Sequence, residues 1–185
     1  RGEFVYAIFS LFAVAMLAAP SFLAGGSHAN MPVEIELTIL WGAVSDITLG
    51  RVLGLYQATP WYDKVMHLSN AVLVGLMAFL IVYALRFTGR LTMSSRVAAG
   101  VIFLFALGLG AAWEIAEFAA DAVFGEGAQG NAFMDPHNDT MWDLILDGTG
   151  GALGAIIGPF YMRHSQRPAR RLAAIAAWVP SSKPQ

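Results

Sequence analysis

The sequence predicts an all-α protein, a polytopic transmembrane helical bundle with about five spanning helices and a C-terminal surface helix. Two observations support this class. Hydrophobic residues make up 57% of the 185 residues and charged residues only 13%, with a mean hydropathy of +0.58. About a quarter of the residues of a soluble domain are charged. Five apolar segments can also be marked along the chain, and several are long enough to cross a bilayer.

The composition also excludes some functions. A net charge of −2 gives no indication of nucleic-acid binding, and the absence of cysteine excludes disulfides, thiolate catalysis and cysteine-based metal sites. We therefore expect membrane lipids as the surroundings of the chain, and look for chemistry among its carboxylates and histidines.

The first two predicted helices are residues 4–23 and 36–55. The first is a long apolar run without a basic region before it, so a spanning helix is preferred to a signal peptide. The second is interrupted by Asp46 and Arg51, and it either spans the bilayer or lies on its surface. The chain would accordingly have five spans or four.

Three further spanning helices are predicted at residues 61–87, 97–124 and 141–161. Thr59 and Pro60 suit the N-cap and first positions of the earliest of these. The tail is basic and then apolar, which predicts a short amphipathic helix along the membrane surface. We therefore divide the chain into a transmembrane domain, residues 1–162, and a basic cytoplasmic tail, residues 163–185.

The distribution of arginine predicts the orientation. Arginines are concentrated in the loop before residue 97 and in the tail, while residues 125–138 contain no Lys or Arg. Positively charged loops stay on the cytoplasmic side. We therefore expect a multi-pass protein of a bacterial or archaeal inner membrane, with a cytoplasmic C-terminus. Its N-terminus would lie outside with five spans and inside with four.

Acidic residues lie within these apolar segments. On the fourth helix, Glu114, Glu117 and Asp121 are spaced i, i+3 and i+7, which places them on one helical face. A charged side chain at the centre of a membrane helix costs roughly 2.5–3.5 kcal/mol on insertion scales. Such residues therefore indicate a functional site.

The neighbouring helices bring further polar groups to the same depth. Asp143 and Asp147 lie one turn apart near the outer end of the last helix, and Asp63 and His67 lie one turn apart at the outer start of the third. Six carboxylates and one imidazole are thus expected near one level of the outer half of the bilayer.

Glycines predict how these helices meet. Gly150, Gly154 and Gly158 continue the face of Asp143 and Asp147, and Gly110 continues the face of Glu114. Small residues at this spacing let helices approach closely. We therefore expect the acidic faces of the fourth and last helices to pack against each other.

Carboxylates packed this closely either take up protons or surround a cation. The local cations are Lys64 and, further away, Arg51 and His67, which are too few. A divalent metal ion, whether Zn, Mn, Fe or Mg, would supply the missing charge. Glu114 is a candidate catalytic acid/base, and the predicted metal ligands are Asp63, His67, Glu117, Asp121, Asp143 and Asp147.

Structural explanations compete with this interpretation. Asp63 suits the positive end of its helix, Thr140 and Asp143 fit a capping box, and Asp121 is close enough to the interface to be solvated. Asp139, in the acidic loop before the last helix, would also be explained by solvation.

Three ordered sequence blocks, WYDKVMHLSN, WEIAEF and QG followed by DTMWDLILDGTGGALG, resemble the YjdF-like family of predicted bacterial and archaeal integral membrane proteins. The resemblance covers residues 61–158. Its patterns are Tyr-Asp-(Arg/Lys)-x-x-His, Trp-Glu-x-x-Glu, and Gln-Gly with a downstream Asp-Thr-x-x-Asp. The matching residues are Tyr62, Asp63, Lys64 and His67, then Trp113, Glu114 and Glu117, then Gln129, Gly130, Asp139, Thr140 and Asp143.

One stretch departs from the family pattern. The segment NAFMDPHN after Gly130 is longer than the family's spacer, so Asp135 and His137 have no assigned counterpart. The Asp-Lys-x-x-His block is also distantly similar to VanZ-type proteins. The resemblance implies topology and residue choice, and no reaction.

Three functions are consistent with the residues. The first is a metal-dependent hydrolase or transferase that acts on a lipid-linked small molecule. The second is a proton- or cation-coupled transporter, and the third is an accessory subunit of a larger membrane complex. A homo-oligomer is compatible with each, and the residues alone do not decide whether the protein is an enzyme.

Overall fold

The structure is a computed structural model that describes residues 11, 33–125, 127–130, 132–164 and 169–178. The predicted first helix, residues 4–23, lies outside these residues except for position 11. Every regular element of the described part is a helix, which confirms the all-α class. The elements are α1 (Val33–Ala43), a π-helix (Val44–Val52), α2 (Leu55–Ala58), α3 (Tyr62–Phe87), α4 (Ser95–Phe124), α5 (Pro136–His164) and α6 (Ala169–Trp178).

The predicted second helix is present as α1 and the π-helix that continues it. At their junction, the buried Ser45 hydroxyl donates to the carbonyl oxygen of Trp41 at 2.6 Å. π-Helical turns are rare and often lie at functional sites. This one begins next to the cavity described below.

The start of α3 differs from the prediction. The Thr59 hydroxyl donates to the Leu55 carbonyl 3.1 Å away, so it belongs to the end of α2. α3 begins at Tyr62, and Trp61 precedes it without a side-chain capping bond. Thr59 and Pro60 therefore do not cap α3, because the helix starts two residues beyond Pro60 and the Thr59 side chain bonds back to α2.

α3 and α4 are the two helices of the described part that are long and apolar enough to cross a membrane. α4 is bounded by Ser94, whose hydroxyl accepts from the Val97 amide, and by Gly125 with φ 65°. Large apolar side chains point outward, including Leu104, Ile115 and Phe118, which are each more than 60% exposed. This surface suits lipid. A total of about five spans stays a prediction.

The glycine row of α5 packs against α3. A Cβ added to Gly154 would lie 2.8 Å from the Gly75 Cα, and one added to Gly158 would overlap the Phe79 ring. The glycine row therefore contacts α3 and not the fourth helix, whereas Gly110 of α4 does lie against Asp147 of α5, as expected for packing of the two acidic faces. The neighbouring Gly151 faces α4 instead, since its added Cβ would lie 2.9 Å from the Ala106 Cβ. Helix rotation places adjacent glycines of α5 on two different neighbours.

We expect Gly154→Leu to destabilise the bundle by about 1–3 kcal/mol or more, because the new side chain must separate two touching backbones. Gly100→Leu is the matched control, because an added Cβ meets nothing within 4 Å there and helix propensity changes equally. Unfolding in sodium dodecyl sulfate, followed by circular dichroism, measures the difference. Equal stability of the two variants would contradict the close packing of α3 and α5.

The tail contains the predicted short helix, α6, which packs on the C-terminal end of α3. Ala84 is fully buried beneath Leu172, Ile175 and Ala176. Arg90, in the loop after α3, donates to the Ala176 carbonyl. The end of α6 and the arginine-containing loop therefore lie at the same end of the bundle, as the sequence predicted.

Candidate metal centre

Three helices bring their polar residues together at one end of the bundle. α3 contributes the residues of its first two turns, and α5 contributes a face on which every fourth residue is acidic. α4 contributes one glutamate from its second half. The residues of this cluster are Asp63, Lys64, His67, Glu114, Asp139, Thr140, Asp143 and Asp147.

His67 lies at the centre of the cluster and is 9% exposed. Its Nδ1 lies 3.2 Å from Asp147 Oδ2. Its Nε2 faces three carboxylate oxygens, at 3.5 Å from Glu114 Oε1, 3.8 Å from Asp143 Oδ1 and 3.9 Å from Asp63 Oδ1. One ring nitrogen is thus paired with a carboxylate, and the other points into a group of oxygens beyond ordinary hydrogen-bond distance.

Lys64 connects α3 to α5. Its Nζ lies 2.9 Å from Asp63 Oδ2, 2.7 Å from Asp139 Oδ1 and 2.7 Å from Asp143 Oδ2. The Lys64 ammonium therefore contacts one oxygen of each of three carboxylates. The sequence identified Lys64 as a cation close to the acids, and the structure places it in direct contact with three of them.

The Glu114 side chain is held by residues near the loop between α4 and α5. The Thr140 hydroxyl donates to Glu114 Oε2 at 2.7 Å and accepts from the side-chain Nε2 of Gln129 at 3.2 Å. The Gly130 amide donates to Asp139 Oδ2 at 3.0 Å. The Gln-Gly pair after α4 thereby contacts the start of α5.

Within the described part of the chain, two buried carboxylate oxygens have no hydrogen-bond partner. These are Glu114 Oε1 and Asp143 Oδ1, on residues that are 4% and 1% exposed. A buried polar atom without a partner costs about 1–3 kcal/mol, so each instance calls for an explanation. Both atoms are among those that surround His67 Nε2.

The structure brings together five of the seven residues selected from the sequence: Asp63, His67, Glu114, Asp143 and Asp147. The other two have partners elsewhere. Glu117 accepts from the Trp113 indole nitrogen at 2.9 Å. Asp121 accepts from the backbone amides of Ala128 and Gln129 at 2.6 and 2.8 Å, so it orders the loop after α4.

Asp139 and Thr140 were not selected from the sequence. Asp139 is 5% exposed and pairs with Lys64, so solvation in a loop does not explain it. The capping box is also wrong, because α5 already begins at Pro136 and Thr140 donates to Glu114 instead. The sequence signal that could have identified Asp139 is its spacing from the other acids of this helix, since Asp139, Asp143 and Asp147 lie at i, i+4 and i+8.

Asp135, just before α5, caps that helix. Its carboxylate accepts from the backbone amide of Asn138 at 3.2 Å and from its side chain at 2.7 Å. These hydrogen bonds hold the pKa of Asp135 below its usual range. Since Asp135 is exposed, its contacts lie outside the buried cluster.

A cavity of about 350 Å³ lies beside the cluster, between the α1–π-helix segment, α3 and α4. Asp63, His67 and Asp147 line one part of it. Its other lining residues are Gly42, Ala43, Asp46, Ile47, Tyr56, Met66, Asn70, Ala71, Val74, Ala106, Leu109, Gly110 and Trp113.

The lining contributed by the π-helix and α2 carries a second polar group. Asp46, on the π-helix, accepts from the Tyr56 hydroxyl at 2.9 Å and from Arg51 Nε at 3.4 Å. Burial and the adjacent Asp46 carboxylate raise the pKa of Tyr56, so the phenol stays protonated. Gly110 also lines the cavity, and a Cβ there would overlap the Asp147 carboxylate, so a larger residue would have to displace that side chain.

These features define a class of protein: a helical membrane bundle with a buried acid–histidine centre between three of its helices. The chain belongs to the family described as predicted membrane protein (DUF2238), whose model matches residues 3–164. This confirms the resemblance to predicted integral membrane proteins and a location in a membrane. The distant similarity to VanZ-type proteins stays a prediction.

The chain is also similar to an uncharacterised protein of Thermotoga maritima. The two are 29% identical over 127 residues, which cover 65% of this chain and 59% of the relative. The chain therefore spans less than two thirds of the length of that relative. No solved structure matches the chain.

Proposed function

We propose that this membrane protein binds one divalent metal ion between His67 Nε2, Asp63 Oδ1, Glu114 Oε1 and Asp143 Oδ1. The observation that carries the proposal is that three carboxylate oxygens surround His67 Nε2 at 3.5–3.9 Å, and that two of them are buried without a hydrogen-bond partner. An ion at their centre would satisfy both oxygens. It would also supply positive charge where the cluster has too little.

The spacing of the donor atoms supports an ion of ordinary size. Ligands about 2.0–2.2 Å from a tetrahedral ion lie roughly 3.4 Å from one another. The three oxygens lie 3.5–3.9 Å from His67 Nε2, which is slightly wider than this spacing. One donor atom from each of Asp63, His67 and Asp143 can be chosen so that all three lie within 4.8 Å of one another.

The remaining atoms of these ligands are already oriented by other residues. Lys64 holds the second oxygens of Asp63 and Asp143, Thr140 holds that of Glu114, and Asp147 pairs with His67 Nδ1. Metal-binding histidines characteristically donate their other nitrogen to a carboxylate, which fixes the ring and its tautomer. The partners leave one oxygen of each carboxylate and the Nε2 atom of His67 for a metal ion.

This proposal changes the roles inferred from the sequence. Glu114 becomes a ligand rather than an acid/base, and Asp147 becomes the partner that orients His67. Glu117 and Asp121 are left out of the ligand set because neither is among the carboxylates that surround His67. Glu117 Oε1 accepts from Trp113, and both oxygens of Asp121 accept from loop amides. Three carboxylates and one imidazole suit Zn, Mn, Fe or Mg, and this donor set does not choose among them.

A divalent ion here would polarise a carbonyl or phosphoryl oxygen, or activate water. The adjoining cavity gives a substrate access to Asp63 and His67. We therefore propose metal-assisted hydrolysis or group transfer on a lipid-linked molecule as the activity. In keeping with the arginine distribution, we place the site in the outer half of a bacterial or archaeal inner membrane, within about five spans and with the C-terminus cytoplasmic.

Elemental analysis of protein purified in detergent tests the proposal. We expect about one equivalent of a divalent transition metal or magnesium per chain, removed by a chelator and restored by dialysis against the ion. Thermal unfolding should shift upward on restoration, since an ion at 100 times its dissociation constant stabilises the fold by about 2.7 kcal/mol. Protein that contains no ion, binds none on addition and does not change in stability would overturn it.

Transport is the second candidate, and the continuity of the polar groups favours it. Asp139, Lys64, Asp143, His67 and Asp147 form consecutive contacts from the loop end of α5 inward along two of its turns. Such chains of acids and histidine relay protons in membrane proteins. Proton or cation flux into liposomes, lost in Asp147→Asn, would favour transport over hydrolysis.

A further inference from the structure

We infer that the 350 Å³ cavity binds the chain of a membrane amphiphile whose polar end carries a positively charged amine. The inference deepens the proposed function by naming a ligand class, and it depends on that proposal only for the position of the polar end. Its chemistry comes from the residues that line the cavity.

The shape of the cavity suits an amphiphile. Its volume lies in the range of about 300–1,000 Å³ that is usual for small-molecule sites. Ile47, Val74 and Leu109 contribute apolar walls, whereas Asp63 and His67 lie on its cluster side. Leu109 is 45% exposed on the outside of the bundle, so this wall reaches the surface that faces lipid. An apolar chain could therefore enter from the bilayer.

The charge of the lining selects the polar end. Asp46, Asp63 and Asp147 line the cavity, and none of the described residues that line it is Lys or Arg. Arg51, which is not a lining residue, pairs with Asp46, so the excess negative charge lies on the side of the cluster. The Lys64 ammonium is directed at three carboxylates of the cluster. A phosphate would add negative charge to a negative wall, whereas an ammonium would be attracted to it.

A bound metal ion would not reverse this preference. The five ionised carboxylates of the cluster carry five negative charges, while Lys64 and a divalent ion carry three positive charges. With a neutral imidazole, two negative charges therefore remain. These carboxylates belong to Asp63, Glu114, Asp139, Asp143 and Asp147. One ammonium would halve the surplus.

Aromatic rings strengthen the preference for a cation. Tyr56 and Trp113 both line the cavity. The Arg51 guanidinium already lies 5.5 Å from the centre of the Tyr56 ring, so one cation is in place there and Trp113 is the ring that would stabilise the ammonium of the ligand. Rings of Tyr and Trp attract ammonium groups through their electron-rich faces.

The test compares dodecylamine with dodecyl phosphate, which share a chain and differ in the charge of the head. Protein in nanodiscs is titrated with chain-brominated forms of each, and quenching of tryptophan fluorescence reports binding. We expect saturable binding of the amine that is at least about tenfold tighter than that of the phosphate. Gly42→Phe should weaken it by a similar factor, because Gly42 lines the cavity and an added Cβ meets nothing within 4 Å.

Gly108→Phe is the matched control, since Gly108 also has open space around an added Cβ but does not line the cavity. It should bind the amine like the unmodified protein. Equal or tighter binding of the phosphate would overturn the charge preference. Absent binding, or unchanged binding in Gly42→Phe, would overturn the cavity as the site. Metal content measured on the same samples reports separately on the metal proposal.

Discussion

Asp143→Asn is expected to lower the metal affinity of the purified protein by at least about 10–100-fold. Changes to residues that merely orient a ligand already have effects of this size, and Asp143 is itself a proposed ligand with a buried oxygen directed at the site. The amide keeps the size of the side chain but removes its negative charge. Metal content after dialysis against a graded metal buffer measures the change.

Asp121→Asn is the control for this experiment. Asp121 also lies on a membrane helix, but its carboxylate bonds to the loop amides of Ala128 and Gln129. It should retain the metal content of the unmodified protein. If both variants lost the ion, the ligand set inferred from the sequence, which includes Asp121, would be favoured over the one proposed from the structure. Retention of the ion in Asp143→Asn would contradict the proposed ligand set.

Lys64→Met should destabilise the fold by about 3–5 kcal/mol, the usual cost of removing one partner from a buried ion pair. The Lys64 side chain is only 15% exposed and contacts three carboxylates, two of which belong to α5. Without the ammonium, these carboxylates repel one another where α3 meets α5. Unfolding in sodium dodecyl sulfate measures the loss.

A double variant separates charge from packing. Lys64→Met combined with Asp139→Asn removes one of the carboxylates left unpaired, so it should recover part of the lost stability. Asp139 is suitable because it contacts Lys64 but is not a proposed ligand. Additive losses in the double variant would show that Lys64 acts through packing, which would contradict the ion-pair interpretation.

The sequence predicted the long helices well because their apolar runs are uninterrupted. Residues 61–87 and 97–124 were predicted, and the helices observed are Tyr62–Phe87 and Ser95–Phe124. The last helix was predicted to start at residue 141, whereas it begins at Pro136. Its first turn is polar and follows a loop, so it lacks the repeating apolar positions by which a helix start is recognised in a sequence. The π-helix was not predictable, because its hydrogen-bond pattern leaves no comparable signature in a single sequence.

The convergence of the acids was predictable, but their individual partners were not. Topology and helical spacing bring three helices to one depth, and that argument places Asp63, His67, Glu114, Asp143 and Asp147 together. It does not give the rotation of each helix. Glu117 follows Glu114 by three residues, about 60° short of a full turn. The two glutamates accordingly have different hydrogen-bond donors: Glu117 accepts from the indole of Trp113, and Glu114 accepts from the hydroxyl of Thr140.

The backbone contact between α3 and α5 also limits how this protein can move. At Gly75 and Gly154 no side chains lie between the two helices, and interiors packed this densely resist compression. The pair should therefore behave as one stiff unit that carries most of the cluster. Any widening of the cavity during ligand entry would then come from displacement of the α1–π-helix segment or of α4, while the donor atoms of α3 and α5 keep their spacing.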